Sequence, residues 1–164
     1  MSQVTLEQLL RSRDERAALQ QSFLGEWPGA ALVCLTVQLP GPEKRNELSM
    51  VIAREAVEAI RDAFPEVLTS ELRDLETGYE GYFVVPVPAL DAKLIACGIE
   101  DGHRLGRLMD IDVITSDGPV GRADIGLPER KCLLCSKPAR YCMRARSHSV
   151  AELLAEVERL VREM

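Results

Sequence analysis

The sequence predicts an α+β fold: an antiparallel sheet with helices packed on one face, and extra helices at the N and C termini. Three observations predict it. Short apolar, β-branched runs alternate with longer segments of helical periodicity. Between the terminal segments these elements follow in the order β-α-β-β-α-β. The terminal segments carry helix-capping patterns, at Thr5 with Gln8 and at Ser149 with Glu152.

Thr5 to Leu24 reads as the first helix, with Leu6, Leu9, Leu10 and Ala17 as an inward stripe. At 100° per residue Arg13 and Gln20 fall inside that stripe and Arg16 lies at its edge. Buried polar groups are costly unless paired, so these residues either meet partners beneath the helix or line a cleft. Ala30 to Leu39 is a strand ended by Pro40-Gly41-Pro42. Glu43 to Phe64 is a long helix with Leu48, Ile52, Ala56, Ala59, Ile60 and Ala63 on one side, ended by Pro65. Val67 to Glu76 is a second strand and Thr77 to Gly81 a hairpin turn. Tyr82 to Val87 is a third strand, which Pro86 places at an edge. Ala89 to Glu100 is a helix with Leu90, Leu94 and Cys97 inward. Met109 to Thr115 is the fourth strand. Asp117-Gly118 is a turn, and Val120 to Ala123 a short fifth strand. Ser149 to Met164 closes the chain as a helix, with Val150, Leu153, Leu154, Val157, Leu160 and Val161 in one stripe. This order is that of the split βαβ, ferredoxin-like sandwich. One sheet face is then covered by helices and the other left partly open.

The chain has 164 residues, enough for one domain with its own core. Its apolar fraction of 46% and aromatic fraction of 4% predict a core of Leu, Val, Ile and Ala. No apolar stretch approaches the ~20 residues of a bilayer span, so no membrane partner is expected. Met1 to Leu10 holds Gln3, Glu7 and Gln8 and no basic leader, so no signal peptide is expected and the cytoplasm is the expected compartment. The net charge of −6 argues against nucleic-acid binding.

Asp110 and Asp112 stand two residues apart within the fourth strand. Alternation puts both carboxylates on one face, with Cα atoms about 6.5–7 Å apart, while Met109, Ile111 and Val113 face the core. Such a pair suits a hard cation such as Mg²⁺ that shares oxygen ligands with substrate phosphates. The plain alternative is a strand with an acidic outer face.

Residues 130–148 form a Cys-rich, basic segment. Arg130, Lys131, Lys137, Arg140, Arg144 and Arg146 occur there without an acid between them. The segment is either a solvated loop or a surface for an anionic partner. Five cysteines in a reducing compartment predict no disulfide framework. Cys34 and Cys97 read as core residues. Cys132 and Cys135, with Cys142 and His148, offer a set for a structural Zn²⁺, the alternative being three free thiols.

Several stretches in order carry a family resemblance: Ser12-Arg13-Asp14-Glu15-Arg16 with Gln20, Leu105 to Val113, Arg130-Lys131-Cys132-Leu133-Leu134-Cys135, Cys142-Met143-Arg144, and His148 with Glu152-Leu153-Leu154. Together they resemble the citrate lyase holo-acyl-carrier-protein synthase family, also called apo-citrate lyase phosphoribosyl-dephospho-CoA transferase. The resemblance covers essentially the whole chain. Arg104 departs from it, standing where the family commonly has proline.

The resemblance implies a nucleotidyltransferase-type enzyme. A serine of the apo acyl-carrier subunit of citrate lyase would attack triphosphoribosyl-dephospho-CoA, and pyrophosphate would leave. Mg²⁺ on Asp110 and Asp112 would serve the phosphates, with Arg107 beside them as a third catalytic candidate. Arg13, Arg16, Gln20, Arg104 and Arg122 are the donor-binding candidates, since arginine binds phosphate oxygens bidentately. One carboxylate of the pair, or His103, would take the serine proton. Two alternatives stay open: a non-catalytic zinc-containing interaction module, and the same transfer to the malonate decarboxylase carrier.

Overall fold

The strand Ala31–Val37 (β1) is buried on both faces, which places it at the centre of the sheet. In the computed structural model, which describes residues 3–164, β1 pairs with Gly78–Val85 (β3) on one side and Asp110–Thr115 (β4) on the other. Thr69–Leu75 (β2) extends the sheet beyond β3, and Gly118–Val120 (β5) extends it beyond β4. All four pairings are antiparallel, giving the order β2-β3-β1-β4-β5. Met1 and Ser2, the start of the expected leaderless N terminus, lie outside the described residues.

Alternation along β1 separates two cores. Ala31, Val33, Leu35 and Val37 face Glu47–Ala63 (α2), Ala89–Gly102 (α3) and Val150–Arg162 (α5). Leu32 and Cys34 face the opposite way, where Phe23 and Leu24 of Leu6–Glu26 (α1) pack on Tyr82 and Val84. Three helices thus share one face and α1 takes the other. Cys34 and Cys97 are core residues, as expected.

The capping boxes at Thr5 and Ser149 form as their spacing predicts. Several expectations are corrected. The α1 stripe fails, because Leu6, Leu10 and Ala17 are exposed. The helix buries its C-terminal half instead, with Phe23 stacked on Tyr82 at 5.7 Å. Helix α2 begins at Glu47 rather than Glu43, because the Asn46 side chain accepts the Leu48 and Ser49 N–H groups and fixes the start there. The hairpin is tighter than expected. Gly78 already pairs with Leu75, at φ 134, and a Cβ there would meet Gln38 and the Val37 carbonyl. Pro86 lies beyond β3, which is an inner strand and no edge. Val150 of the α5 stripe is exposed, while Val157 is its buried centre. Strand β5 precedes the expected Val120 to Ala123, and residues 122–125 form a 3₁₀ turn. The basic segment, for which no secondary structure was expected, contains a helix, Ala139–Ala145 (α4).

The correction that matters most concerns α3. Leu90 and Leu94 are exposed, and the inward face is Ala92, Lys93, Ala96, Cys97 and Glu100. Two charged residues therefore point inward beside β4. After α3 the chain turns through a 3₁₀ segment, Gly106–Leu108, into β4. A Cβ on Gly106 would collide with the Ile99 and Glu100 carbonyls, so only glycine lets the turn close on the helix.

Candidate functional site

Alternation along β4 sends Met109, Ile111 and Val113 into the main core and Asp110 and Asp112 to the α1 face. There Asp112 stands opposite Cys34 and Asp110 opposite Thr36. Two adjoining cavities meet at Thr36 and Asp112. The smaller, about 200 Å³, lies under α1 and is lined by Arg13, Arg16, Gln20, Cys34, Thr36, Tyr82 and Asp112. The larger, about 930 Å³, takes in Asp110, Asp112, Lys93, Glu100, Arg107, Arg122 and Arg130 and runs to Cys132, Cys142 and His148.

Beneath α1 the polar residues have partners and also border the cleft, so both readings of that helix face apply. Arg16 Nε lies 3.9 Å from the buried Glu80 carboxylate, which accepts the Tyr82 hydroxyl at 2.6 Å. Gln20 Nε2 donates to Cys34 Sγ at 3.8 Å. Burial, with the Asp112 charge, pushes the Cys34 thiol far up, which keeps it an unreactive thiol.

Among the described residues neither Asp110 nor Asp112 enters an ion pair. Both side chains are exposed to the cleft, yet crowded by surrounding protein atoms; that partial desolvation, then the Asp112 charge, pushes Asp110 up to about 6. The same desolvation raises Asp112, opposed most by the Lys93 ammonium. Two carboxylates that resist ionisation side by side form a site that a divalent cation would relieve. With Thr36 Oγ1 opposite, the donor set is oxygen-rich and fits Mg²⁺.

Other candidates are held elsewhere. Arg107 donates to the Lys131 and Cys132 carbonyls while lining the larger cavity. Arg122 is engaged by Glu100 at 2.8 Å and by both oxygens of Asp101. Arg104 is exposed and lines neither cavity. His103 also lies outside both: its Nδ1 accepts the Leu105 N–H, and its Nε2 faces Glu55 at 3.7 Å.

The Cys-rich segment folds back on itself. The Cys132 N–H donates to the Lys137 carbonyl, and the Ala139 N–H to the Arg130 carbonyl. Helix α4 carries Cys142 and stops at Arg146, in the left-handed region with φ 50, which turns the chain toward His148. The ligand atoms of Cys132, Cys135, Cys142 and His148 all lie within 4.8 Å of one another. A backbone hydrogen bond from Lys137, then one from His148, pulls the Cys135 thiol down to about 6. His148 Nε2 is buried without a hydrogen-bond partner. The four residues form a cluster able to hold a metal ion.

A sequence profile described as apo-citrate lyase phosphoribosyl-dephospho-CoA transferase matches residues 4–164. The chain belongs to this family. A probable apo-citrate lyase phosphoribosyl-dephospho-CoA transferase of Streptococcus pyogenes is 37% identical over 164 residues, spanning 96% of this chain and 85% of that protein. The apo-citrate lyase phosphoribosyl-dephospho-CoA transferase of Escherichia coli O1:K1 is 37% identical over 166 residues, 98% of this chain and 90% of its own. A longer relative, protein CitXG of Haemophilus influenzae, is 34% identical over 164 residues; the match covers 97% of this chain and 35% of that protein.

For a transferase of this family, reading the sequence alone missed Lys93, Glu100 and Glu80 and saw Arg130 only as one of a basic run. Arg130 donates to the Met109 and Gly106 carbonyls and to Glu100, clamping the start of β4. A signal for two of them was present. Lys93 and Glu100 are seven residues apart, on the helix face of Ala92 and Ala96.

Proposed function

We propose that this chain transfers the phosphoribosyl-dephospho-CoA group to the apo acyl-carrier subunit of citrate lyase, with Asp110 and Asp112 at the reaction centre. The observation that carries the residue assignment is the pair itself: adjacent carboxylates, free of ion pairs, facing a cleft edged by arginines. The family supplies the reaction and the pair supplies a place for it.

The donor is triphosphoribosyl-dephospho-CoA. The carrier's serine oxygen bonds to the phosphorus nearest the ribose. The bond from that phosphorus to the bridging oxygen breaks, and pyrophosphate leaves with the electron pair. The serine proton passes to a carboxylate of the pair, so the carrier ends with a phosphodiester. Asp110 and Asp112 would hold Mg²⁺, which would supply charge neutralisation to the donor's phosphate oxygens. Arg13 and Arg16 border the cleft from α1 and suit the donor's remaining phosphate charge.

The Cys132, Cys135, Cys142 and His148 set fits Zn²⁺ as a closed, structural site. The orphaned His148 Nε2 and the lowered Cys135 thiol support that reading. The ion would fix the turn whose carbonyls hold Arg107. Beside it, α4 exposes Tyr141 and Met143 among Lys137, Arg140, Arg144 and Arg146. A basic surface with apolar anchors suits an acidic carrier protein and steers its approach.

Residues 1–164 are taken as one transferase domain. The order β2-β3-β1-β4, with α2 and α3 as the crossovers, supports the ferredoxin-like reading of the sheet. No described helix is long and apolar enough to cross a membrane. Five free cysteines fit a reducing compartment, the cytoplasm.

The test is a transfer assay with purified chain, Mg²⁺, the donor and apo carrier, read as carrier mass. The wild type adds the prosthetic group, while Asp110→Asn and Asp112→Asn fold and lose transfer by on the order of 10²–10³-fold. Full transfer by both variants would remove the pair from the mechanism. Asp variants that keep their fold and their bound zinc yet lose transfer distinguish this reading from a zinc interaction module. Equal transfer to a malonate decarboxylase carrier would overturn the acceptor.

A further inference from the structure

We infer that Lys93 is a phosphate-binding residue of this site, its ammonium reserved for the polyphosphate oxygens of the donor and for the pyrophosphate that leaves. This rests on the Asp110–Asp112 reading and adds the donor contact that the sequence did not disclose.

Lys93 is 6% exposed, on the inward face of α3, between Ala92 and Ala96. Its stem is buried while its ammonium opens onto the cavity, the way a long cationic side chain keeps its charged head accessible. The natural partner on the same helix is Glu100, but Glu100 is already satisfied. Its Oε1 receives Arg122 at 2.8 Å, and its Oε2 receives the Ile111 N–H at 2.8 Å with Arg130 at 3.4 Å. Among the described residues no hydrogen bond or ion pair holds the Lys93 ammonium. It lines the larger cavity with Asp110 and Asp112.

Among the described residues, Asp110, Asp112, Lys93 and Lys131 line the cavity with no hydrogen bond or ion pair to their charged atoms. Lys131 is exposed at the surface, so Lys93 is the buried residue that brings an unpaired ammonium to the carboxylates. Had the ammonium served only to balance the acids, a direct ion pair is the arrangement that would do so. Separate placement leaves the carboxylates for a cation and the ammonium for an anion. A metal-bound polyphosphate supplies both at once. The neighbouring arginines are less available: Arg122, Arg130 and Arg107 are tied to Glu100, Asp101 and backbone carbonyls. Lysine also suits the task as a compact point charge on a flexible stem that can follow a departing group.

The experiment measures binding of inorganic pyrophosphate in the presence of Mg²⁺ by calorimetry, with wild type, Lys93→Met and Lys93→Arg. Loss of one charge-assisted contact lowers pyrophosphate affinity by on the order of 10- to 100-fold in Lys93→Met. Lys93→Arg recovers part of it. Mg²⁺ alone binds Lys93→Met as tightly as wild type or more tightly, because a nearby positive charge is gone. In the transfer assay KM for the donor rises and KM for the carrier stays unchanged. A merely structural lysine would not produce that split. Thermal melts check folding, and Lys93→Gln replaces Lys93→Met if the latter fails to fold. Unchanged pyrophosphate affinity in a folded variant overturns the inference, as does a Mg²⁺ affinity that falls in parallel. The two readings fail separately: if Asp110→Asn abolishes Mg²⁺ binding while Lys93→Met leaves pyrophosphate binding intact, only the lysine assignment falls.

Discussion

Glu100 Oε2 accepts the Ile111 N–H at 2.8 Å, so a carboxylate from α3 closes the backbone of β4 between Asp110 and Asp112. Strand β5 pairs only with Val113 to Thr115, and Glu100 takes over where that ladder stops. Arg122 and Arg130 then neutralise it in a place where it is 3% exposed. Glu100→Ala leaves the Ile111 N–H without its acceptor and takes the buried carboxylate from Arg122 and Arg130, which keep only Asp101 and backbone carbonyls, and we expect a loss of about 3–5 kcal/mol in urea unfolding. Glu100→Gln keeps one hydrogen-bond acceptor for Ile111 and costs about 1–3 kcal/mol. Removing that charge also lowers Asp110, because Glu100 helps raise it. Titration of Asp110 by NMR in Glu100→Gln checks the direction.

Asp110 carries a pH signature in the metal-free protein. Partial desolvation and the Asp112 charge move it from 3.8 to about 6. Between those values the folded chain keeps a proton that the unfolded chain has released. Its contribution to stability is therefore present below 3.8 and is lost as pH rises through about 6. Asp110→Asn lacks this loss. Relative to the variant, wild type weakens between pH 4 and pH 7, and denaturant midpoints with chelator present read the difference. Added Mg²⁺ restores wild type at pH 7 and leaves Asp110→Asn unmoved.

Chelation addresses the second cluster. We expect purified chain to carry one Zn²⁺ at Cys132, Cys135, Cys142 and His148, and a strong chelator or Cys135→Ser to remove it. A loss of about 3 kcal/mol lowers the melting midpoint by roughly 6–12 °C in a chain of this size. Transfer falls with it, because the Lys131 and Cys132 carbonyls that hold Arg107 belong to the same turn. Metal content by mass spectrometry, measured beside the melt, checks the stoichiometry.

Tyr82→Phe tests the floor of the α1 cleft. The hydroxyl donates to the buried Glu80 at 2.6 Å, while Arg16 and Arg73 approach Glu80 only to 3.9 Å. Without that hydrogen bond the carboxylate loses its shortest contact, and we expect a cost of about 1–3 kcal/mol. The Phe23 stack survives, so the fold and the near-ultraviolet spectrum of Trp27 persist.

Element types were legible wherever one local rule acted alone. The capping boxes at Thr5 and Ser149 and the Pro65 stop after α2 each depend on neighbours within a turn, and each was read correctly. The paired faces of β4 were legible for the same reason, since period-two alternation fixes which side chains share a side. Helix α3 was misread because two stripes compete on it. Leu90 and Leu94 are the more apolar choice, yet the face that meets β4 carries Lys93 and Glu100, whose charges answer groups far along the chain.

The succession of helices and strands along the chain, the shared face of the two carboxylates, and the cysteine and histidine spacing are written in the chain itself, because each is a local periodicity or a count. Which cations stay free is not. Arg122, Arg104 and Lys93 look alike as isolated positive residues; folding ties the first to Glu100 and Asp101, leaves the second outside both cavities, and turns the third inward without a partner. Charge pairing depends on distances between residues remote in sequence, and only the packed chain sets those.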